Sequence, residues 1–394
     1  MNGDLSWRRR RDAETNNQAA RADCECGYSI NATTAPDHKV YTELLETDFL
    51  HLQNITLDTD WVPQEYNITA SAARGSFGEA RQLGNVIANP LLDNYSYAGA
   101  SKLGGDPGLQ LWVRAQQTDG LIGTAEISSA REDMLYGSFR VAMKLTGIPG
   151  TCGAFFWYYN NTQEIDLEYL SRLLNTTSSP LSLVLQSPAS AHAGYDASST
   201  PTYQVHQLPF HPSTGYHEYR FDWTPGAVSF YADGVLLTTM TGSAVPTSPG
   251  HILLNHWSNG NAAWSGGPPA TDAALSVSYV KAYFNSSLDD RKNDYAQRCN
   301  GDTAAQNDKN AICIVPDQTT APDPDSSDGN KTANTFFFSG QANMTTNQTV
   351  YTPAAAKSKK KSGAGATKDS LRRGRDGALG LLVGASMVAA LLLT

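Results

Sequence analysis

From Tyr41 to Asn285 the chain is a succession of short runs in which apolar and polar residues alternate or apolar residues cluster, each run broken by Gly, Pro or Asn. Leu109-Gln110-Leu111-Trp112-Val113, Phe139-Arg140-Val141-Ala142-Met143, Leu181-Ser182-Leu183-Val184-Leu185 and Val228-Ser229-Phe230-Tyr231 are examples. Successive side chains on a strand point to opposite faces, so a period of two buries one face and leaves the other polar. Runs of this length at short spacing predict a β-sandwich or barrel rather than alternating strand-helix units. No long amphipathic helix and no internal repeat of fixed period is legible in this span.

An all-β sandwich of about 200–250 residues commonly forms one domain, so the 394 residues fit one domain with long flanks. We divide the chain into a leader with a Cys-containing segment (1–40), the β-sandwich (41–285), a polar linker or stalk (286–377) and an apolar C-terminal tail (378–394). Within the stalk, Phe336 to Phe338 is an apolar exception to a segment rich in Thr, Asn, Ala and Lys. Charged residues are 17% of the chain, against roughly 25% in an average soluble domain. The formal charge of −9, with basic clusters only at Arg8 to Arg11 and near the C-terminus, argues against a nucleic-acid partner.

Five cysteines cannot all pair within one molecule, and no His stands at ligand spacing beside Cys24-x-Cys26, so no common zinc pattern is present. Cys299 and Cys313 are expected to bridge a short loop. Ten Asn-x-Ser/Thr sequons, at Asn31, Asn54, Asn67, Asn94, Asn160, Asn175, Asn285, Asn330, Asn343 and Asn347, support a secretory route. The uncharged run Ala378 to Thr394 follows a polar spacer and the small residues Ser362 to Gly365, the order of a glycosylphosphatidylinositol anchor signal. Arg372, Arg373 and Arg375 before the run support the alternative, a tail-anchored span facing the cytosol; the small-residue cluster favours the lipid anchor. Met1 to Arg21 lacks the apolar core of a signal peptide, although Ala20-Arg21-Ala22 has the small-x-small form of a cleavage site. A first exon missing from the gene model accounts for this; a disordered cytosolic leader is the other reading. The expected location is extracellular, at a cell surface or wall, and the expected state is a monomer.

The segment richest in chemistry is Phe155-Phe156-Trp157-Tyr158-Tyr159-Asn160-Asn161-Thr162-Gln163-Glu164-Ile165-Asp166-Leu167-Glu168-Tyr169-Leu170. On a strand, Glu164, Asp166 and Glu168 share one face while Ile165, Leu167 and Tyr169 share the other. Three acids in a row repel one another, and no Lys or Arg alternates with them. An exposed acidic strand is the plain alternative; the aromatic residues just before it favour a sugar site. A retaining glycosidase needs an ionised carboxylate as nucleophile and a protonated carboxyl as general acid, about 5–5.5 Å apart. A central acid can hydrogen-bond the first and raise the pKa of a neighbour.

Glu164-x-Asp166-x-Glu168 resembles the active-site strand of glycoside hydrolase family 16, which includes laminarinases, lichenases and cell-wall transglycosylases. Tyr136 to Lys144 is similar to the strand preceding it, and His217-x-Tyr219-x-x-x-Trp223-Thr224-Pro225 with Phe230 to Gly234 to a later hairpin. Asn255-His256-Trp257 resembles the sugar-binding Asn-x-Trp pair, and Ser278 to Tyr283 the closing strand. The resemblance, to a secreted member of fungal type, implies a β-jelly-roll sandwich of two curved antiparallel sheets of the concanavalin A-like lectin/glucanase kind, with an open concave cleft and disordered flanks. It implies Glu164 as nucleophile, Glu168 as acid/base and Asp166 as helper. Many relatives place a Trp directly before the motif where this chain has Thr162-Gln163. Trp157 is therefore a candidate for sugar stacking, with a core role as its alternative, and Asn255 and Trp257 are the other candidates for binding. Trp223 is read as core and His217 as a packed hydrogen-bonding residue.

The expected activity is endo-acting hydrolysis of 1,3- or 1,3-1,4-linked β-glucan by double displacement, with no cofactor and no catalytic metal, a structural calcium being left open. The alternatives are a wall transglycosylase of the same family and a carbohydrate-binding wall protein without catalysis. No nucleotide-binding Gly-rich loop, Gly-x-Ser-x-Gly elbow or His-Glu-x-x-His motif is present.

Overall fold

The structure, a computed structural model, describes residues 24–30, 39–194, 197–299, 311–317 and 337–340. Ala20 to Ala22, the sequons at Asn31, Asn330, Asn343 and Asn347, most of the stalk, Ser362 to Gly365 and the apolar run Ala378 to Thr394 lie outside these residues. Among the described residues no helix is long and apolar enough to cross a membrane.

The predicted β-jelly-roll sandwich is what the chain forms. The larger sheet runs, from one edge to the other, Tyr203–Gln207, Pro180–Gln186, Gln163–Leu170, Cys152–Asn160, His251–Trp257, Leu121–Ser129, Gly78–Arg81 and Tyr66–Ile68. The second runs Val235–Thr241, Ala227–Ala232, His217–Thr224, Met134–Lys144, Ala273–Ser286, Gly108–Val113 and Val86–Asn89, with Glu43–Asp48 also paired to Ala273–Ser286. Pairing within them is antiparallel except where Leu121 to Thr124 run parallel to Gly78 to Arg81. The apolar members of each alternating run meet between the sheets: Ile165, Leu167 and Tyr169 from one side, Phe139, Val141 and Phe221 from the other, in a single buried cluster. Fully burying one such side chain contributes roughly 1.5–3 kcal/mol, so the alternation fixes which face of every strand turns inward.

The ordered body extends past 41–285 at both ends. Tyr28–Ile30 pairs antiparallel with Lys39–Tyr41 and parallel with Cys313–Val315, forming a small third sheet. That sheet covers the outer face of the second large sheet. There Arg140 Nη1 donates to the Pro316 carbonyl at 2.7 Å and Arg220 Nη1 to the Asp317 carbonyl at 2.9 Å. Phe338, part of the unexplained aromatic triplet, packs its ring 5.2 Å from Tyr28 and 6.0 Å from Tyr283. A helix, Asp289–Cys299, follows the last long strand.

The expected Cys299–Cys313 bridge is not made. Cys24 pairs with Cys313 and Cys26 with Cys299, leaving Cys152 free and buried. The reason is tertiary. The parallel pairing sets Tyr28 beside Cys313, and the Cys26 N–H donates to the Ala311 carbonyl at 2.6 Å, so each C-terminal cysteine meets the N-terminal hook before it meets the other. Gly27 makes the hook possible: its φ is +107°, and a Cβ there would lie 2.3 Å from the Tyr41 carbonyl oxygen. Removing one native bridge commonly costs about 2–5 kcal/mol. Cys299→Ala should therefore lower the unfolding free energy by about that amount in a urea titration; an unchanged midpoint would mean the clamp contributes nothing to the folded domain.

Candidate active site

The acidic strand Gln163–Leu170 lies inside the larger sheet, between Cys152–Asn160 and Pro180–Gln186. The turn that leads into it is set by Asn160, whose Oδ1 accepts from both the backbone N–H and the hydroxyl of Thr162 at 2.9 Å. That turn fixes the register: Tyr158, Phe156 and Ala154 stand opposite Glu164, Asp166 and Glu168 on one side, and Gln186, Val184 and Ser182 on the other. Because Ile165, Leu167 and Tyr169 are committed to the core, the three carboxylates must share the opposite face. They are 1%, 3% and 1% exposed.

Burial dominates their electrostatics. Loss of water raises the proton affinity of all three, and mutual repulsion adds to it for Glu164 and Glu168. Asp166 is pushed up to about 8. Both carboxylate oxygens of Glu164 are buried without a hydrogen-bond partner. Asp166 nevertheless stands close enough to raise the proton affinity of Glu164 and to be lowered in return, so the pair interacts without completing a well-formed bond. Buried acceptors left bare in a native fold call for an explanation, and an acid waiting for a substrate atom is one.

Asn255 stands on the same face, opposite Ala154 and Glu126. Its Nδ2 donates to Glu126 Oε2 at 3.4 Å while its Oδ1 is buried and bare. Glu126 also accepts from the Tyr66 hydroxyl at 2.8 Å and pairs with Arg81 Nε at 3.4 Å; Arg81 Nη2 lies 2.9 Å from Glu79. Burial holds Glu79 up at about 7 despite that guanidinium. Trp257, opposite Cys152, turns to the same face, and its indole N–H has no partner.

Trp157 does not belong here. It pairs with Ile165, so its ring enters the core, 4.4 Å from the ring of Trp223, and its Nε1 donates to the Met134 carbonyl at 3.4 Å. One position of register separates a cleft residue from a core residue, which removes Trp157 from the candidates for sugar stacking. Trp223 is core, as expected, and His217 bonds Asp233 at 2.7 Å and stacks on Phe210.

The face is covered above the acids rather than left as an open groove. Residues 69–77 leave the sheet at the Trp257 end and are clamped to the segment 258–266. Asn259 Nδ2 donates to the Ala73 carbonyl at 2.7 Å, Asn261 Nδ2 to the Arg74 carbonyl at 3.2 Å, and a Cβ on Gly75 would lie 2.1 Å from the Asn259 oxygen. Residues 187–194 leave from the Gln186 end. Arg74 Nη1 joins the two segments by donating to the Gly194 carbonyl at 3.0 Å, and its charge lowers the proton affinity of Glu168. Among the described residues no group of three or more His, Cys, Asp or Glu is arranged to hold a metal ion.

Sequence reasoning missed Glu126, Glu79, Arg81, Cys152, Trp264 and Arg74. Glu126 was within reach: Thr124, Glu126 and Ser128 alternate with Ala125 and Ile127, the same period-two signature as the acidic strand. Arg74 sits in a left-handed turn after a four-residue helix, where no periodicity speaks.

Fold and face together define a β-sandwich with three buried carboxyl groups aligned on one covered sheet face. Residues 99–280 match the family model of Glycosyl hydrolases family 16. A β-glucanase of Paenibacillus macerans is 35% identical over 127 residues, covering 31% of this chain and 48% of that protein. A β-glucanase of Paenibacillus polymyxa is 34% identical over 137 residues, covering 33% of this chain and 52% of that protein. The chain thus spans about half the length of the curated relatives it matches. The solved Bacillus licheniformis β-glucanase aligns at 21% identity with a TM-score of 0.45, over 61% of this chain and 97% of its own.

An unfolded Asp titrates near about 4, whereas folded Asp166 holds its proton to about 8. Between these values the native state binds more protons than the unfolded chain, so this group's contribution to stability is full below the lower value and is lost as pH rises through the upper one. Asp166→Asn should therefore raise Tm by a few degrees at pH 8 and by much less at pH 4. Thermal melts at both values test this; an equal shift at the two would mean that Asp166 is already ionised in the fold.

Proposed function

We propose that the domain is a retaining, endo-acting glycosidase of 1,3- or 1,3-1,4-linked β-glucan. The observation that carries this reading is the placement of Glu164 and Glu168 on either side of Asp166 on one buried sheet face, with the Glu164 oxygens bare. The match to that family model and the β-glucanase relatives support the substrate class. In this mechanism Glu164 attacks the anomeric carbon while Glu168 gives its proton to the departing glycosidic oxygen; Glu168 then takes a proton from water as water displaces Glu164. Asp166 shares the proton of the Glu164 pair in the resting site and stabilises the ionised nucleophile by accepting it. Asn255, Glu126 and Trp257 bind the sugar beside the cleaved bond.

The covering over the carboxylates favours a second reading within the same chemistry, in which a sugar hydroxyl replaces water and the enzyme joins chains. The two disulfides suit an oxidising compartment, and the sequons at Asn54, Asn67, Asn94 and Asn175 are exposed. Both support the secreted glycoprotein that we place at a cell surface or wall, held by a lipid anchor added in place of the C-terminal tail.

Incubation with laminarin, mixed-linkage glucan and labelled oligosaccharide acceptors tests the activity. Wild type should release reducing ends or join oligosaccharides, and Glu168→Gln should lose about 10²–10⁴-fold. Glu164→Ala should be inactive alone and regain turnover with azide, giving a glycosyl azide of the configuration opposite to that from Glu168→Ala. Full activity in both variants would sink the assignment.

A further inference from the structure

Cys152, outside both disulfides, opens the strand Cys152–Asn160 and faces Leu170 and Trp257. Its side chain therefore lies on the carboxylate face, one same-face position from Ala154, the register partner of Glu168. Its Sγ is 3.7 Å from Glu168 Oε1 and 4.0 Å from the Gly153 carbonyl; the carboxylate is both the nearer and the stronger acceptor. Trp264 packs against the same group. Its carbonyl is held by Arg172, two residues past the acidic strand, and its indole N–H is buried without a partner. That N–H lies beside Glu168 and Cys152 and lowers the proton affinity of both, although it falls short of bond geometry with either. A buried donor with no acceptor is unfavourable unless some state of the site supplies one.

The two-step reaction supplies that state. Glu168 must hold a proton to release the leaving group and must then be ionised to accept one from the incoming hydroxyl. Burial and the neighbouring Asp166 both favour the protonated form, which helps the first step and opposes the second. Against them stand three groups from three other elements: the Cys152 thiol, the Arg74 guanidinium and the Trp264 indole. Burial, Glu168 and Glu79 keep the thiol protonated, so it remains a donor throughout.

We propose that Cys152 and Trp264 are positioning residues for Glu168, donating S–H and N–H to its carboxylate once its proton has passed to the glycosidic oxygen. Neither gives up its proton; the proton lost by Glu168 leaves with the departing sugar and is replaced from the acceptor hydroxyl. The inference rests on the assignment of Glu168 as acid/base.

The test is the pH dependence of kcat/KM and kcat of the full chain with an aryl β-glucoside oligomer, alongside Glu168→Gln. Cys152→Val removes the donor with a somewhat larger apolar side chain, Cys152→Ser keeps a donor in a smaller and more polar side chain, and Trp264→Phe keeps a ring without the N–H. Cys152→Val and Trp264→Phe should each move the basic limb of kcat/KM upward by about one pH unit. Each should also slow the second step, seen as a burst of aryl alcohol followed by a slower steady rate. Cys152→Ser should keep the wild-type limb. A packing role predicts the reverse order, with Ser the worse variant and no limb moved by Val, and that result would overturn the proposal. So would an unmoved limb in Trp264→Phe, which carries the test alone if thermal melts show Cys152→Val unfolded. An inactive wild type, or Glu168→Gln at the wild-type rate, would instead overturn the assignment of Glu168; impaired Glu168→Gln with unmoved limbs overturns only the positioning role.

Discussion

The strand Gln163–Leu170 couples stability to chemistry in its shortest form. Ile165, Leu167 and Tyr169 belong to the core shared by both sheets, and the alternation of the strand then leaves Glu164, Asp166 and Glu168 no choice of face. A one-residue slip would drive three carboxyl groups into that core and bring three large apolar side chains out of it. With each apolar side chain worth roughly 1.5–3 kcal/mol when buried and each buried charge opposed by several kcal/mol of lost hydration, the register is fixed by a margin comparable to the stability of a whole domain. The acids are aligned because the core beneath them is.

That alignment has an electrostatic consequence. Three carboxyl groups with almost no access to water cannot all be ionised near neutral pH, because desolvation and repulsion act in the same direction. The site therefore retains protons that exposed acids would lose, as glycoside cleavage through a general acid requires. In the proposed two-step reaction the same condition hinders the return step. Positive and donor groups converge on Glu168 from the neighbouring strand, the covering segment and the 258–266 loop, and no such group acts among the leading influences on Glu164. The two glutamates of one strand are thus placed in different environments by elements far apart in sequence.

Much of this was legible in the chain. The period-two runs announced the sandwich, the acid triplet announced its own face, and Asn255 and Trp257 fell on that face because the alternation of His251–Trp257 carries them there. Trp157 was misplaced because an aromatic before a catalytic strand looks the same in sequence whether it points in or out; only its pairing with Ile165 decides. The cysteines were misjudged for a related reason. Nearness in sequence favoured Cys299 with Cys313, but a parallel strand pair between the two ends of the domain brought each to an N-terminal partner. Phe338 had no account in a polar stalk until Tyr28 and Tyr283 were seen to receive it. Contacts between distant segments, and the loops that make them, are the part that local periodicity does not encode.

The two large sheets show how buried charge for structure differs from buried charge for function. The outer face of the second sheet is also polar and covered, by the disulfide-clamped small sheet, but its acids have cationic partners. Glu218 lies 3.9 Å from Arg140 and accepts from Tyr279 at 2.6 Å, Asp222 is paired with Arg220, and Lys281 counters Glu46. On the carboxylate face of the larger sheet Arg81 pairs with Glu79 and Glu126, but among the described residues no cation pairs with Glu164, and the Asn255 Oδ1 and the N–H groups of Trp257 and Trp264 are bare as well. Bare polar atoms of both kinds, acceptors and donors, gathered on one face are unfavourable in the empty fold and complementary to a ligand rich in hydroxyl groups, each of which donates and accepts. Burial alone would have marked both sheets as interesting; a carboxylate with both oxygens bare, Glu164, marks the larger one.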